Sequence, residues 1–334
     1  MRAIRAGVNG FGRIGRCVLR ALAESGRGDI EIVAVNSRAD AEIVAHLLQY
    51  DSTHGKFAAE VSADGDALVV DGRRIRYTRE SAPDEINWKA AGVELILECS
   101  GAFNSKKDAV RHLSAGARKV LISAPARDAD LSVVFGVNHG LLAGGDFSVV
   151  SAASCTTNCL APVVKTLHDN FGVRRGWMTT VHAMTADQKL LDESHEDLRR
   201  ARAAGASIIP TKTGAAESIG AILPELRGKL DGIALRAPVA NVSLLDLTCE
   251  LSAAADADSL NAAFVAAAQK MPPGVMTVCA APLVSSDFNH SVYSAVVDAT
   301  QTRAFGDWAK VFAWYDNEWG FANRMLDVAA AMGA

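Results

Sequence analysis

A chain of 334 residues, 49% hydrophobic and 22% charged, has the composition of a soluble globular protein long enough for about two domains. Its net charge of −4 includes no basic block, which gives no footprint for nucleic acid, and no apolar run approaches the roughly 20 residues that span a bilayer. The six cysteines include one close pair, Cys155 and Cys159, so neither a disulfide framework nor a metal cage is expected, and a reducing cytoplasm fits.

Residues 3–8 read as a buried strand, with no signal-peptide core before them. Asn9-Gly10-Phe11-Gly12-Arg13-Ile14-Gly15 follows as G-x-G-x-x-G, then an apolar helical period at Ile14, Cys17, Val18, Ala21 and Leu22, then a strand over residues 30–36. Strand, glycine turn, helix and strand in this order form the dinucleotide fingerprint: the glycines let backbone approach a pyrophosphate, and the helix N-terminus accepts its charge. The alternative is a glycine turn in an empty βαβ unit. At the end of the second strand the fingerprint expects an acid for the ribose hydroxyls, and here stand Asn36-Ser37-Arg38. Serine with a following arginine suits the extra phosphate of NADP; a solvated Arg38 beside a neutral Ser37 is the competing reading.

Further α/β units follow. Residues 41–48 and 107–113 look helical, and 67–70 with 74–77 read as a hairpin about Asp71-Gly72. Residues 93–99, 120–123 and 133–137 look like strands. His46 and His54 have no companion at metal-ligand spacing. Beyond residue 173 the strand-like runs are 177–182, 233–238, 242–251, 275–279 and 291–298. Helices are expected over 160–170, 214–223, 259–271 and 323–332. Late alternating strands suggest a mixed or antiparallel sheet covered by helices on one face.

Ser154-Cys155-Thr156-Thr157-Asn158-Cys159 lies between an apolar run and a helical one. A sulfur at a strand-to-helix turn is a candidate nucleophile whose thiol the helix N-terminus would acidify; a buried structural cysteine is the other reading. His182 ends a strand 27 residues later and is a candidate base. Thr213-Gly214 opens a helix and offers an anion site. Arg236 stands in an apolar strand, where a cation needs a partner; a phosphate is favoured over an internal salt bridge.

With these segments assembled, the chain resembles the phosphorylating glyceraldehyde-3-phosphate dehydrogenases. The resemblance rests on residues 8–16, 153–159, 197–204, 213–216 and 314–320 and runs from residue 4 to about 330. It implies an α/β fold: a Rossmann-type dinucleotide-binding domain over 1–153, on which the helix over 318–334 packs back, and an α+β catalytic domain over 154–317 with a mixed, largely antiparallel sheet. Cys155 would be the nucleophile and His182 its base. Ser154, Thr156, Arg200, Thr213 and Gly214 would line the site for inorganic phosphate, while Thr185, Asp187 and Arg236 would hold or frame the substrate phosphate. Gly10, Gly12, Arg13, Ile14, Ser37, Arg38, Arg79, Ser100, Ser123 and Asn317 would form the cofactor set. The segment 185–207, which includes Ser194, corresponds to a loop lining the cofactor site of a neighbouring subunit, so a homotetramer is implied. Cys159 is expected to pack.

The chain departs from the family pattern in two places. Strictly NAD-dependent members carry Asp where Ser37 stands, and many carry Pro where Ser194 stands. Both changes remove something hostile to a 2′-phosphate, so NADP is expected as a cofactor, alongside or ahead of NAD. Phe288-Asn289-His290 and residues 321–325 also resemble the erythrose-4-phosphate dehydrogenases, whereas Thr213-Gly214 fits the three-carbon aldehyde, which is favoured. A dinucleotide-binding protein without catalysis is the reading from another class, against which an intact Cys155 and His182 argue.

Overall fold

The computed structural model describes residues 2–333. The chain divides into two compact units. One takes the chain up to Phe135, His139–Ser154 and the chain from Ala322 onward; the other takes Gly136–Asn138 and Cys155–Phe321.

The first unit is built on a nine-stranded sheet. Its centre is Ile4–Asn9, with Ile30–Asn36 parallel on one side and Leu95–Glu98 parallel on the other. These strands are hydrophobic on both faces: Ala6, Val8, Val35, Ile96 and Leu97 are all buried, as a parallel sheet covered by helices requires. Lys119–Ile122, Val149–Ser151 and Leu131–Ser132 continue the parallel order outward. On the other side Arg73–Thr78 pairs parallel with Ile30–Asn36, and the hairpin to Ala67–Val70 and Val61–Asp64 adds an antiparallel edge. Strand order reverses about Ile4–Asn9, so its carboxyl end is a topological switch point, where open α/β sheets hold ligands.

The second unit carries an eight-stranded sheet. Val173–His182 lies between Leu230–Arg236, which is parallel to it, and Ser243–Leu251, which is antiparallel. Trp308–Tyr315 follows antiparallel, then Ala295–Asp298, with Met276–Cys279 parallel at the end. The mixed, largely antiparallel sheet is therefore as expected. Ser243–Leu251 alternates buried and half-buried positions without a break, and the helix Cys155–Phe171 packs on the buried side.

Several expected elements shift. Residues 133–137 are not a strand: the strand is Leu131–Ser132, and the chain then turns through Gly136, whose φ is +83°. The strand expected over 291–298 begins only at Ala295, because Ser291 is tied into a turn on the Phe288 carbonyl. Trp308–Tyr315, with Arg303–Phe305 paired to it, was not anticipated, and neither were Val61–Asp64 and Ile209–Thr211.

Candidate active site

A cavity of about 420 Å³ opens at the carboxyl end of the first strand, lined in part by Asn9, Gly10, Gly12, Ser37, Arg38 and Ser100. Gly10 has φ +84°, and a Cβ there would lie 2.3 Å from the Ser100 Cα. A Cβ on Gly15 would lie 2.4 Å from the Gly10 carbonyl oxygen, so only glycine lets helix and turn meet. The helix Arg13–Glu24 starts from Gly12 with no side-chain cap and no acid in its first turn. The Arg13 side chain turns to Asp51, at 2.5 Å. Of the expected cofactor residues, Arg13, Ile14, Arg79, Ser123, Ser194 and Asn317 lie off the cavity lining. Arg79 pairs with Asp40 at 2.5 Å and donates to the Arg38 carbonyl at 3.2 Å. Ser123 donates its N–H to the Glu98 carbonyl. Ser194 is exposed on the long segment of the second unit.

In the second unit Cys155 is the first residue of the helix Cys155–Phe171. Two residues earlier Ala153 is held at φ +57°, a left-handed conformation that costs a β-carbon residue about 1 kcal/mol or more. His182 closes the strand Val173–His182, and its Nε2 lies 3.5 Å from the Cys155 Sγ. Its Nδ1 lies 2.7 Å from the Ala183 carbonyl, which can only accept, and also meets Arg236 Nη1, which can only donate, so the two contacts ask for opposite tautomers; we take the one with the proton on Nδ1. Nε2 then faces the sulfur as an acceptor. That tautomer leaves Arg236, whose Nη1 also contacts Nδ1, to donate instead to the Ala183 carbonyl at 3.3 Å.

The electrostatics correct one expectation. The helix N-terminus was expected to acidify the Cys155 thiol. Instead burial pushes the thiol up, and the Arg236 guanidinium and the hydroxyl and N–H of Thr156 only partly pull it back. Burial, then the nearby Arg236, pushes His182 down to about 3. Both partners are therefore favoured neutral at rest. Arg236 is itself lowered by burial and feels Cys155, Arg200 and Asp187, so these groups share one electrostatic environment. Its Nε is buried without a hydrogen-bond partner, and no carboxylate pairs with it among the described residues, which removes the internal-salt-bridge reading.

The remaining polar residues are placed as follows. Arg200 pairs with Asp187, and its Nε donates to the Thr211 hydroxyl at 2.9 Å, which in turn donates to Asp197. Burial raises the Asp187 carboxyl, but Arg200 and His195 outweigh it and hold it below the usual range. The Thr185 N–H donates to Gln188 Oε1. Thr213 accepts the Ala215 N–H at the start of the helix Ala215–Ile222, next to its N-cap Gly214. Ser154 leads directly into Cys155. The Thr156 hydroxyl is 2.8 Å from the Tyr315 hydroxyl, and Cys159 is buried with its sulfur toward the Ala313 carbonyl. Asn317 Oδ1 lies 2.9 Å from the Ser243 hydroxyl, which also accepts the Ala183 N–H.

Two of these residues were not singled out from the sequence. Tyr315 is buried, bridges Thr156 and Thr180, and stands edge-on to His182, with ring centroids 6.1 Å apart. Ser243 joins Asn317 to the residue after His182. The signal for Tyr315 was its place beside Asn317 in residues 314–320; Ser243 gave none beyond a hydroxyl in an apolar strand.

A family model described as "Glyceraldehyde 3-phosphate dehydrogenase, C-terminal domain" matches residues 154–317, and one described as "Glyceraldehyde 3-phosphate dehydrogenase, NAD binding domain" matches residues 4–106. Two relatives from Cupriavidus necator, its plasmid and chromosomal glyceraldehyde-3-phosphate dehydrogenases, are each 54% identical over 331 residues, spanning 98% of this chain and 98% of their own. The glyceraldehyde-3-phosphate dehydrogenase of Cereibacter sphaeroides is 51% identical over 331 residues, spanning 99% of this chain and 98% of its own.

Proposed function

This chain belongs to the glyceraldehyde-3-phosphate dehydrogenase family, and on that premise we propose that it oxidises glyceraldehyde 3-phosphate to 1,3-bisphosphoglycerate with NAD or NADP, through a thioester on Cys155. The observation that carries the reading is the approach of the Cys155 sulfur to His182 Nε2, 3.5 Å, beside an Arg236 whose Nε has no partner.

The residues fit a nicotinamide dinucleotide. Gly10 admits backbone where a side chain would collide, and a Cβ on Gly12 would meet nothing within 4 Å, so the helix start is open to a pyrophosphate with no acid competing. Gly10, Gly12, Arg13 and Ile14 would hold it by backbone and packing; Ser37, Arg38, Arg79, Ser100 and Ser123 lie on the same unit, and Asn317 would face the carboxamide. When bound, the dinucleotide supplies the nicotinamide ring that accepts the hydride.

His182 Nε2 takes the thiol proton as the Cys155 sulfur bonds to the aldehyde carbon, and returns it to the carbonyl oxygen, giving a thiohemiacetal. The same nitrogen then removes the hydroxyl proton as the C–H bond gives up its hydride, and Cys155 holds the acyl group as a thioester. Arg236, with Thr185 and Asp187, orients the substrate phosphate. Ser154, Thr156, Arg200, Thr213 and Gly214 direct inorganic phosphate at the thioester carbon. Its attack breaks the C–S bond and frees the Cys155 thiolate, which recovers a proton from His182.

Ser37 and Arg38, with no acid at the end of the second strand, support acceptance of NADP. Steady-state kinetics crossing glyceraldehyde 3-phosphate and erythrose 4-phosphate with NAD and NADP, with and without inorganic phosphate, tests the whole reading. A rate unaffected by omitting phosphate would sink the phosphorylating assignment. A preference for NAD above about a hundredfold in kcat/KM would sink the acceptance of NADP. Faster turnover of the four-carbon sugar would reassign the substrate.

A further inference from the structure

Beneath the dinucleotide cavity lies a group that neither the fingerprint nor the reaction uses. Glu98, at the end of the strand Leu95–Glu98, is fully buried, and no lysine or arginine pairs with it among the described residues. Four donors converge on its two oxygens. Asn9 Nδ2 donates to Oε2 at 2.6 Å, and His112 Nε2 lies 2.9 Å from the same oxygen. The Ser100 N–H donates to Oε1 at 2.7 Å, and the Ser100 hydroxyl contacts Oε1 as well.

The direction of each bond follows from what its partner can do. The Trp88 indole N–H, which can only donate, points at His112 Nδ1 at 3.0 Å, so the imidazole proton sits on Nε2 and is given to Glu98. The Ser100 hydroxyl accepts the Ala102 N–H, leaving its own proton for Glu98. The carboxylate therefore accepts throughout. Asn9 extends the cluster: its Oδ1 accepts from Asn36 Nδ2 at 2.8 Å, and Asn36 Oδ1 accepts from the Thr78 hydroxyl and the Glu80 N–H. One buried anion thus ties together the ends of three neighbouring strands and the helix Lys106–Ser114. Four residues of the cluster, Asn9, Asn36, Glu80 and Ser100, line the cavity itself.

A buried carboxylate is costly unless every lone pair is satisfied, and an isosteric apolar residue would fill the space at less cost. What the carboxylate adds is geometry. It fixes the Ser100 backbone, against which Gly10 is packed so closely that no Cβ fits between them. We infer that Glu98 is a positioning residue for the dinucleotide: without touching the ligand, it holds the glycine turn and the Ser100 loop in the spacing that binds it. The inference rests on reading this cavity as the dinucleotide site.

The test is calorimetric titration of the full-length protein with NAD and with NADP, beside thermal unfolding and the KM of each substrate. Glu98→Gln keeps the shape but sets an amide N–H2 against a donor. Both dinucleotides are expected to bind about tenfold more weakly, with the cofactor KM rising in step. The aldehyde KM, and kcat at saturating cofactor, should hold within about twofold, a split that a merely structural defect would not give. Glu98→Gln that folds and binds both dinucleotides as the parent does overturns the inference, as does a variant that loses thermal stability with cofactor affinity intact. If Glu98→Gln does not fold, His112→Leu removes one donor from the side of the carboxylate away from the cavity and carries the same test. It is expected to weaken both dinucleotides about threefold or more, and unchanged affinity overturns the inference. Absence of dinucleotide binding by the parent chain would instead sink the reading of the cavity.

Discussion

His182 is the residue at which stability and chemistry meet. Buried at 6% exposure and held at about 3 against an ordinary 6.5, it stays neutral in the fold while the unfolded chain would take up a proton. Between pH 6.5 and about 3 the unfolded state binds more protons, so this stability is present above 6.5 and is lost as pH falls through that window. Urea unfolding at pH 7 and pH 5 should show a loss for the parent chain that His182→Gln largely removes. An equal loss in both would place the acid sensitivity elsewhere. The same substitution should lower kcat by about a hundredfold or more if Nε2, 3.5 Å from the sulfur, is the base of the proposed reaction. Reaction of Cys155 with iodoacetamide should quicken with pH into the alkaline range, because the thiol is raised; a plateau already at neutral pH would contradict that direction. The pairing of Cys155 with His182 was legible in the sequence because both residue types are rare and stood at element ends. The direction of the thiol shift was not: sequence shows the helix start but not the burial that outweighs it. At the other site, Ser37→Asp should cut kcat/KM with NADP and spare NAD. Equal loss with both would show that Ser37 does not read the 2′-phosphate.

At the scale of elements, the glycine turn and its flanking strands were readable because G-x-G-x-x-G between a buried strand and a helical period calls for a tight turn with close backbone approach. The strand Trp308–Tyr315 was missed for a physical reason. Its buried positions, Ala309, Val311, Ala313 and Tyr315, alternate with Trp308, Lys310, Phe312 and Trp314, so large hydrophobic residues fall on both faces and blur the period. It nonetheless carries Tyr315 edge-on to His182 and delivers the chain to Asp316. That aspartate is 1% exposed and caps the helix Trp319–Gly333 from outside. Its Oδ1 accepts the N–H groups of Glu318 and Trp319 at 2.9 and 2.7 Å, and its Oδ2 accepts Asn241 Nδ2 and the His290 N–H at 2.8 and 2.7 Å. Asp316→Ala removes the carboxylate that accepts four hydrogen bonds, and the unfolding free energy in urea should fall by about 2 kcal/mol or more. Asn317 is the next residue, so nicotinamide-dependent activity should fall before the fold is lost. A variant with full stability would show that the helix start is satisfied by other means.

For the whole molecule, the decisive feature is a pair of large apolar side chains exposed on one sheet face of the second unit. In the second unit the side opposite the helix Cys155–Phe171 presents Trp177 and Ile233, exposed at 63% and 51%. On this face Thr179 registers against Ile233 and Asp246, and Trp177 against Asp231 and Thr248, so the exposed apolar side chains stand among polar ones, while Val181, Leu244 and Trp314 are half-buried. Leu198 and Ile208, from the long segment after His182, are also exposed, at 82% and 68%. An antiparallel sheet can face water on one side, but that side is then polar, and large apolar side chains exposed on it point to a contact. Alternation in the sequence showed which positions share a face but not whether a helix of this chain or another copy covers it. A homotetramer, which the family resemblance implies, would supply such a cover. The 35.2 kDa chain is expected to behave in light scattering as four copies. Ile233→Arg should shift the population toward smaller species, because burying a guanidinium in an apolar contact is costly. The lost contacts should cost cofactor-dependent activity as well, if Ser194 and the segment around it serve a neighbour's cofactor. Ile233→Arg lies far in sequence from Cys155 and leaves the helix-covered face untouched, so alkylation of the thiol reports whether the fold around it survives. A parent chain that sediments as a single copy at working concentration would remove both the assembly and the role of Ser194 together.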